Sequence, residues 1–126
     1  MTIDDLLIPR HPHPRLHEQQ VQALQQLPEP ERAAHAQLLR VGNAAYRYHQ
    51  LADNRLTEDD FAHWVAGLPP RMRQAMTTAG FAAAGSSWAF RRHALERRDL
   101  GYAAFMQQHL AAPDWAFWQQ QEAESA

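Results

Sequence analysis

Apolar residues along this chain recur every three or four positions, the spacing that gathers them on one face of an α-helix. Leu16, Val21, Leu24 and Leu27 keep that spacing on a glutamine-rich background, which predicts a first helix from Arg15 to Leu27, stopped by Pro28. Ala34, Leu38, Val41, Ala45, Tyr48 and Ala52 form the longest such stripe. Pro30 suits the first turn of its helix, Glu29 and Glu31 suit its positive end, and the element is expected to end near Asp53 and Asn54. Thr57 and Asp60 stand at capping-box spacing, with aspartate in place of glutamate, ahead of a short face made by Phe61, Trp64 and Val65. Gly67 and the Pro69-Pro70 pair close that segment.

A helix over 70–79 is expected next, with Gly80 as its left-handed stop. Ala82 to Gly85 fits no single state. Ser86 or Ser87 can cap a helix running to Arg98, Asp99 can cap another through Leu110, and Pro113 can start a last one carrying Trp115 and Trp118. Alternating β-branched runs do not occur, and valine, isoleucine and threonine are scarce. The expected architecture is therefore all-α: one compact bundle of five to six short helices over residues 15–126. An extended arm, residues 1–14, precedes it, with Pro9, Pro12 and Pro14 holding the backbone open.

Composition narrows the function classes. A chain of 126 residues has the size of one domain. With no cysteine, disulfides, thiolate metal sites and cysteine nucleophiles are excluded. The stretch from Met1 to Ile8 has no basic residue, and Leu6-Leu7-Ile8 is too short for a signal peptide. No run approaches the ~18 apolar residues of a membrane span. A cytoplasmic protein with no membrane partner is expected.

Charge is distributed unevenly. Net charge is −2, and all twelve cations are arginine. Six of them lie between Arg71 and Arg98, where Glu96 is the only acid, so that segment is +5 (6 − 1) and the remainder −7 (6 − 13). Arg71, Arg73, Arg91, Arg92, Arg97 and Arg98 thus present planar forks suited to carboxylates and phosphates. On a helical wheel Arg91 and Arg98 fall within the inward arc of Trp88, Phe90, Ala94 and Leu95. Arg92, His93, Glu96 and Arg97 fall outside it, with Arg92 and Glu96 at pairing distance. An inward guanidinium needs a carboxylate, and Asp53, Asp59, Asp60 and Asp114 are the candidates.

Ala75, Ala79-Gly80-Phe81 and Ser86-Ser87-Trp88-Ala89-Phe90-Arg91-Arg92 resemble helix-turn-helix DNA-binding domains, with their turn glycine and serine-started recognition helix. The likeness covers less than a quarter of the chain, and Ala82 to Gly85 intervenes where those domains have a short turn. It implies that Arg91, Arg92 and residues near Ser86 meet phosphates and base edges, with Arg71 and Arg73 on the flanking backbone.

Eight histidines raise metal binding, through His11, His13 and His17 or the i,i+4 pairs Glu31/His35, His49/Asp53 and Asp59/His63. The Glu-x-x-His motif repeated on partner helices is missing, so neither a metal site nor a cofactor is expected. Gly85-Ser86-Ser87 is neither a nucleophile elbow nor a phosphate loop. The adjacent acids Asp4-Asp5 and Asp59-Asp60 diverge by about 100° on a helix. No enzyme is expected.

Near the C-terminus Trp115 and Trp118 share a face, and Phe117 points elsewhere as the candidate outward contact. Leu6-Leu7-Ile8 either lies over its own domain or engages another chain. The expected function is non-enzymatic binding of a protein partner, or self-association, through the arm, the aromatic C-terminus or the arginine segment. A nucleic-acid-binding accessory protein using the six arginines is the alternative, and a metal-dependent enzyme ranks third.

Overall fold

A computed structural model describes residues 2–125. Among them it holds no strand and eight α-helices: α1 (Pro14–Gln25), α2 (Glu31–Gln50), α3 (Glu58–Ala66), α4 (Pro70–Ala79), α5 (Phe81–Ala84), α6 (Trp88–Glu96), α7 (Tyr102–His109) and α8 (Ala112–Ser125). The all-α class stands, and the expected count of five to six helices is corrected to eight. One of the additions is the single-turn α5, which occupies the segment that periodicity left open. None of these helices is long and apolar enough to cross a membrane.

Local chemistry explains the boundaries. Thr57 opens α3 with the reciprocal capping box: its hydroxyl accepts the Asp60 N–H at 3.1 Å, and Asp60 Oδ2 accepts the Thr57 N–H at 3.1 Å. The Ser87 hydroxyl accepts the Phe90 N–H and starts α6. The long helix α2 stops at Gln50, short of Asp53, and a series of turns carries the chain to Asn54 at φ 65. Asp99 is no N-cap. It takes φ 59 where the chain leaves α6, and the Leu100 N–H returns to the Leu95 carbonyl, so α7 begins only at Tyr102.

Gly80 joins α4 to α5 at φ 90 and ψ 169, a region essentially reserved for glycine. A Cβ there would meet no atom within 4 Å, so backbone strain alone opposes a substitution. Gly80→Ala is expected to destabilise by about 1–3 kcal/mol. An unchanged urea midpoint would show that the α4–α5 joint relaxes freely.

The chain divides into two compact units, Met1–Tyr48 with Ala103–Ala126, and His49–Tyr102. In the first, Leu7, Leu24 and Ala36 form a fully buried cluster flanked by Ile3, Leu6, Val21, Leu27 and Leu39. The N-terminal arm is not wholly extended, since Asp4–Leu6 forms a 3-10 turn, and it does not hang free. Along α2, Arg40 donates to the Leu6 carbonyl at 2.8 Å and Asn43 to the Pro9 carbonyl at 3.1 Å, while Arg47 donates twice to the Arg10 carbonyl. Three side chains at i, i+3 and i+7 thus hold the arm's backbone along one helix face.

In the second unit, Trp64, Val65, Ala84, Phe90 and Ala94 form the core, with Leu56, Phe61, Leu68, Met76 and Phe81 around it. Phe90 stacks on Trp64 at 5.3 Å and meets Phe61 and Phe81 edge-on. This aromatic centre joins α3 to α6 and fixes the side chains carried by both helices. By contrast, α4 has no buried residue.

Candidate functional site: the arginine segment and its carboxylates

Asp60 organises the second unit. It is the third residue of α3 and is 3% exposed. Its Oδ1 accepts from Arg97 at 2.9 Å; its Oδ2 accepts from Arg98 at 2.7 Å and from both the N–H and the hydroxyl of Thr57. Burial pushes the Asp60 carboxyl upward, but the hydrogen bonds from Arg98 and Thr57 outweigh it and hold the group below its ordinary range. Arg98 also donates to the carbonyls of Ala94 and Arg55, and Arg97 reaches Asp59 at 3.3 Å. Arg97 was expected to face outward. Arg97 keeps helical dihedrals, φ −62 and ψ −20, and its N–H still bonds the His93 carbonyl, so it lies on the His93 face of α6 and its long side chain reaches α3 from there, 30% exposed.

Arg91 is committed in a similar way. It donates to the carbonyls of Gly85 and His49 and forms an ion pair with Asp53. Arg92 pairs with Glu96 at 3.3 Å, as the i,i+4 spacing implies, and lies 4.7 Å over the Tyr102 ring. On α4, Arg73 donates to the Leu68 carbonyl, and the exposed Arg71 makes no ion pair among the described residues. Arg91, Arg97 and Arg98 therefore hold the unit together, and they are not free to present forks to a ligand. The seven arginines of residues 49–102 face six acids, a net of +1 (7 − 6). The basic segment is largely matched by acids of 53–60.

The two inward arginines differ in one respect. The Asp60 side chain is 4% exposed, whereas that of Asp53 is 49% exposed. Removing the partner of a buried charge is costly, and removing that of a half-exposed one is cheap because water screens it. Arg98→Met is therefore expected to destabilise by more than ~2 kcal/mol, and Arg91→Met by less than ~2 kcal/mol. Urea melts of the two variants check the order, and equal losses would refute the dependence on partner burial.

His49 is buried, its ring T-shaped to Trp88 at 4.0 Å and tilted against Tyr102 at 5.7 Å between centroids. Burial first, then the charges of Arg91 and Arg92, push its imidazole down to about 4. On the solvent side of α3 and α6, His63 Nδ1 lies 2.8 Å from His93 Nε2. Burial, His63 and Arg97 keep His93 below the usual histidine range.

In the first unit Asp114 pairs with Arg40 at 2.6 and 3.0 Å and accepts from Gln37, so this candidate partner of the inward arginines serves a different residue. Burial pushes its carboxyl up, and the bonds from Arg40 and Gln37 more than reverse that. Trp115 stacks on Trp118 at 5.1 Å, and Phe117 is half-buried. A groove of about 280 Å³ along α1 and α2 is lined by His11, Leu16, Gln19, Gln20, Ala23, His35 and Leu39. Leu16 and Leu38 are 40% and 48% exposed, and Ile8 is 69% exposed. Periodicity hides this groove, because Leu16 reads from sequence as a core position of its helix.

Among the described residues no group of three or more His, Cys, Asp or Glu is placed to hold a metal ion. Comparison with protein-family models, curated proteins and solved structures finds nothing that matches this chain.

Proposed function

We propose that this chain acts without catalysis, by holding a protein partner against the apolar surface of its first unit. The observation that carries the reading is the groove along α1 and α2, with its lining residue Leu16 left in water. Leu16, Gln20 and Ala23 on α1, and His35 and Leu39 on α2, repeat at steps of three and four, so the groove follows both helices. Leu39 also packs on the buried cluster of Leu7, Leu24 and Ala36, which makes the groove floor rigid. No aspartate, glutamate or arginine lines it. That chemistry suits an apolar side chain projected from a partner helix, with glutamine and imidazole at the rim for its polar neighbours.

The test places a photoreactive residue at position 35, on the groove wall, and, as control, at the exposed polar position 119. A saturable crosslinked species at 35 only, either a dimer or a complex with another protein, is expected. Leu16→Glu should abolish it without moving the melting midpoint. A protein that stays monomeric and uncrosslinked at every concentration sinks the reading.

Nucleic-acid binding is the second reading, supported by Arg71, Arg73 and Arg92, whose side chains remain at the surface. It requires affinity for labelled duplex DNA or single-stranded RNA that falls linearly in log salt. With three phosphate contacts the slope would be roughly −3. Fluorescence anisotropy is expected to show no saturable binding at physiological salt. A salt-linear affinity lost in Arg71→Gln with Arg73→Gln would reverse the ranking.

A further inference from the structure

We infer that His63 and His93 form a two-imidazole site for a divalent transition-metal ion of the zinc, nickel and copper group, laid across α3 and α6. The two rings come from the sixth residue of each helix, thirty residues apart in sequence. Each immediately precedes a core residue, Trp64 on α3 and Ala94 on α6, so the backbones beneath the rings are fixed by packing. The nitrogens that face each other, Nδ1 and Nε2, are 2.8 Å apart. Two imidazoles on one tetrahedral ion, each about 2.0–2.1 Å from it, have nitrogens roughly 3.3 Å apart. The rings need to part by only about half an ångström, a change within the reach of side-chain rotation.

Proton accounting is simple. In the neutral pair one nitrogen donates and the other accepts, so one lone pair already points inward. When the ion takes the place of the shared proton, that proton returns to the far nitrogen of the same ring, and both lone pairs face the metal. No net proton is released. Imidazole is a ligand of choice for zinc, copper and nickel. With no third carboxylate or imidazole in place among the described residues, water fills the remaining positions. The charges acting on His93 are Arg97, Glu96 and Asp60, and Arg97 is already paired with Asp59 and Asp60. The site is open to solvent on the His63 side.

Isothermal titration of the full chain with Zn²⁺, repeated with Ni²⁺, tests this. The arm's His11 and His13 are the competing binders, so the variants are His63→Ala, His93→Ala, His63→Gln and the double change His11→Ala with His13→Ala. Saturable binding at one ion per chain is expected, weakened at least tenfold in each of the three pair variants and unchanged in the arm variant. The ion should also raise the melting midpoint of the wild type and not that of His63→Gln, since a ligand of the native state stabilises it. Absence of saturable binding, or binding that survives His63→Gln and is lost with the arm histidines, overturns the assignment.

Discussion

Asp60→Ala is expected to destabilise the second unit by about 3–5 kcal/mol, the largest single-residue loss among the arginine segment and its carboxylates. The substitution removes the acceptor of two guanidinium groups and one half of the α3 capping box at once. Arg97 and Arg98, with side chains 30% and 33% exposed, then keep their positive charge without a carboxylate between them. Asp60→Asn should cost less, because the amide oxygen can still accept from Thr57. Urea denaturation separates the two, and a loss below about 1 kcal/mol in Asp60→Ala would mean that the cluster is not a structural centre. The pH dependence has a definite sign. A carboxyl held below its unfolded value contributes stability that is present above about pH 4 and lost as the pH falls through the folded value.

A second loss comes at milder acidity. His49 is held at about 4 in the folded chain against about 6.5 unfolded. Below pH 6.5 the unfolded state takes up a proton that the folded state refuses, so stability declines between pH 6.5 and about 4. The contribution is about 3 kcal/mol, from roughly 2.5 pH units at 1.36 kcal/mol each. His11 and His93 shift in the same direction and add to the slope. The difference between wild type and His49→Leu isolates the buried ring. Superimposable pH profiles of the two proteins would refute the assignment.

The sequence carried the helical class because it resides in local spacing, and it carried the Thr57–Asp60 cap and the Arg92–Glu96 pair for the same reason. Asp53 and Asp60 could be named as partners of Arg91 and Arg98 because buried charge leaves few choices. The assignment of each acid to its arginine required the tertiary fold, and so did the reach of the Arg97 side chain across to α3. The His63–His93 contact had no local signature, since its residues lie thirty positions apart and local spacing matched His63 with Asp59, which pairs with Arg97 instead. Its two halves meet only after Phe90 stacks on Trp64. A polar stripe on α2, Arg40, Asn43 and Arg47, was legible in principle as three long or branched donors at helical spacing. What it grips was not, because the acceptors are main-chain carbonyls that no residue type advertises.

That last feature sets which changes in the arm matter. A helix that recognises carbonyl oxygens at Leu6, Pro9 and Arg10 is indifferent to most of the side chains above them, since every residue, proline included, offers the same oxygen. Point substitutions at position 10 should leave the arm docked. Deleting one residue between Leu7 and Arg10 would shift every downstream oxygen away from its donor, so the arm tolerates changes of identity far better than changes of length.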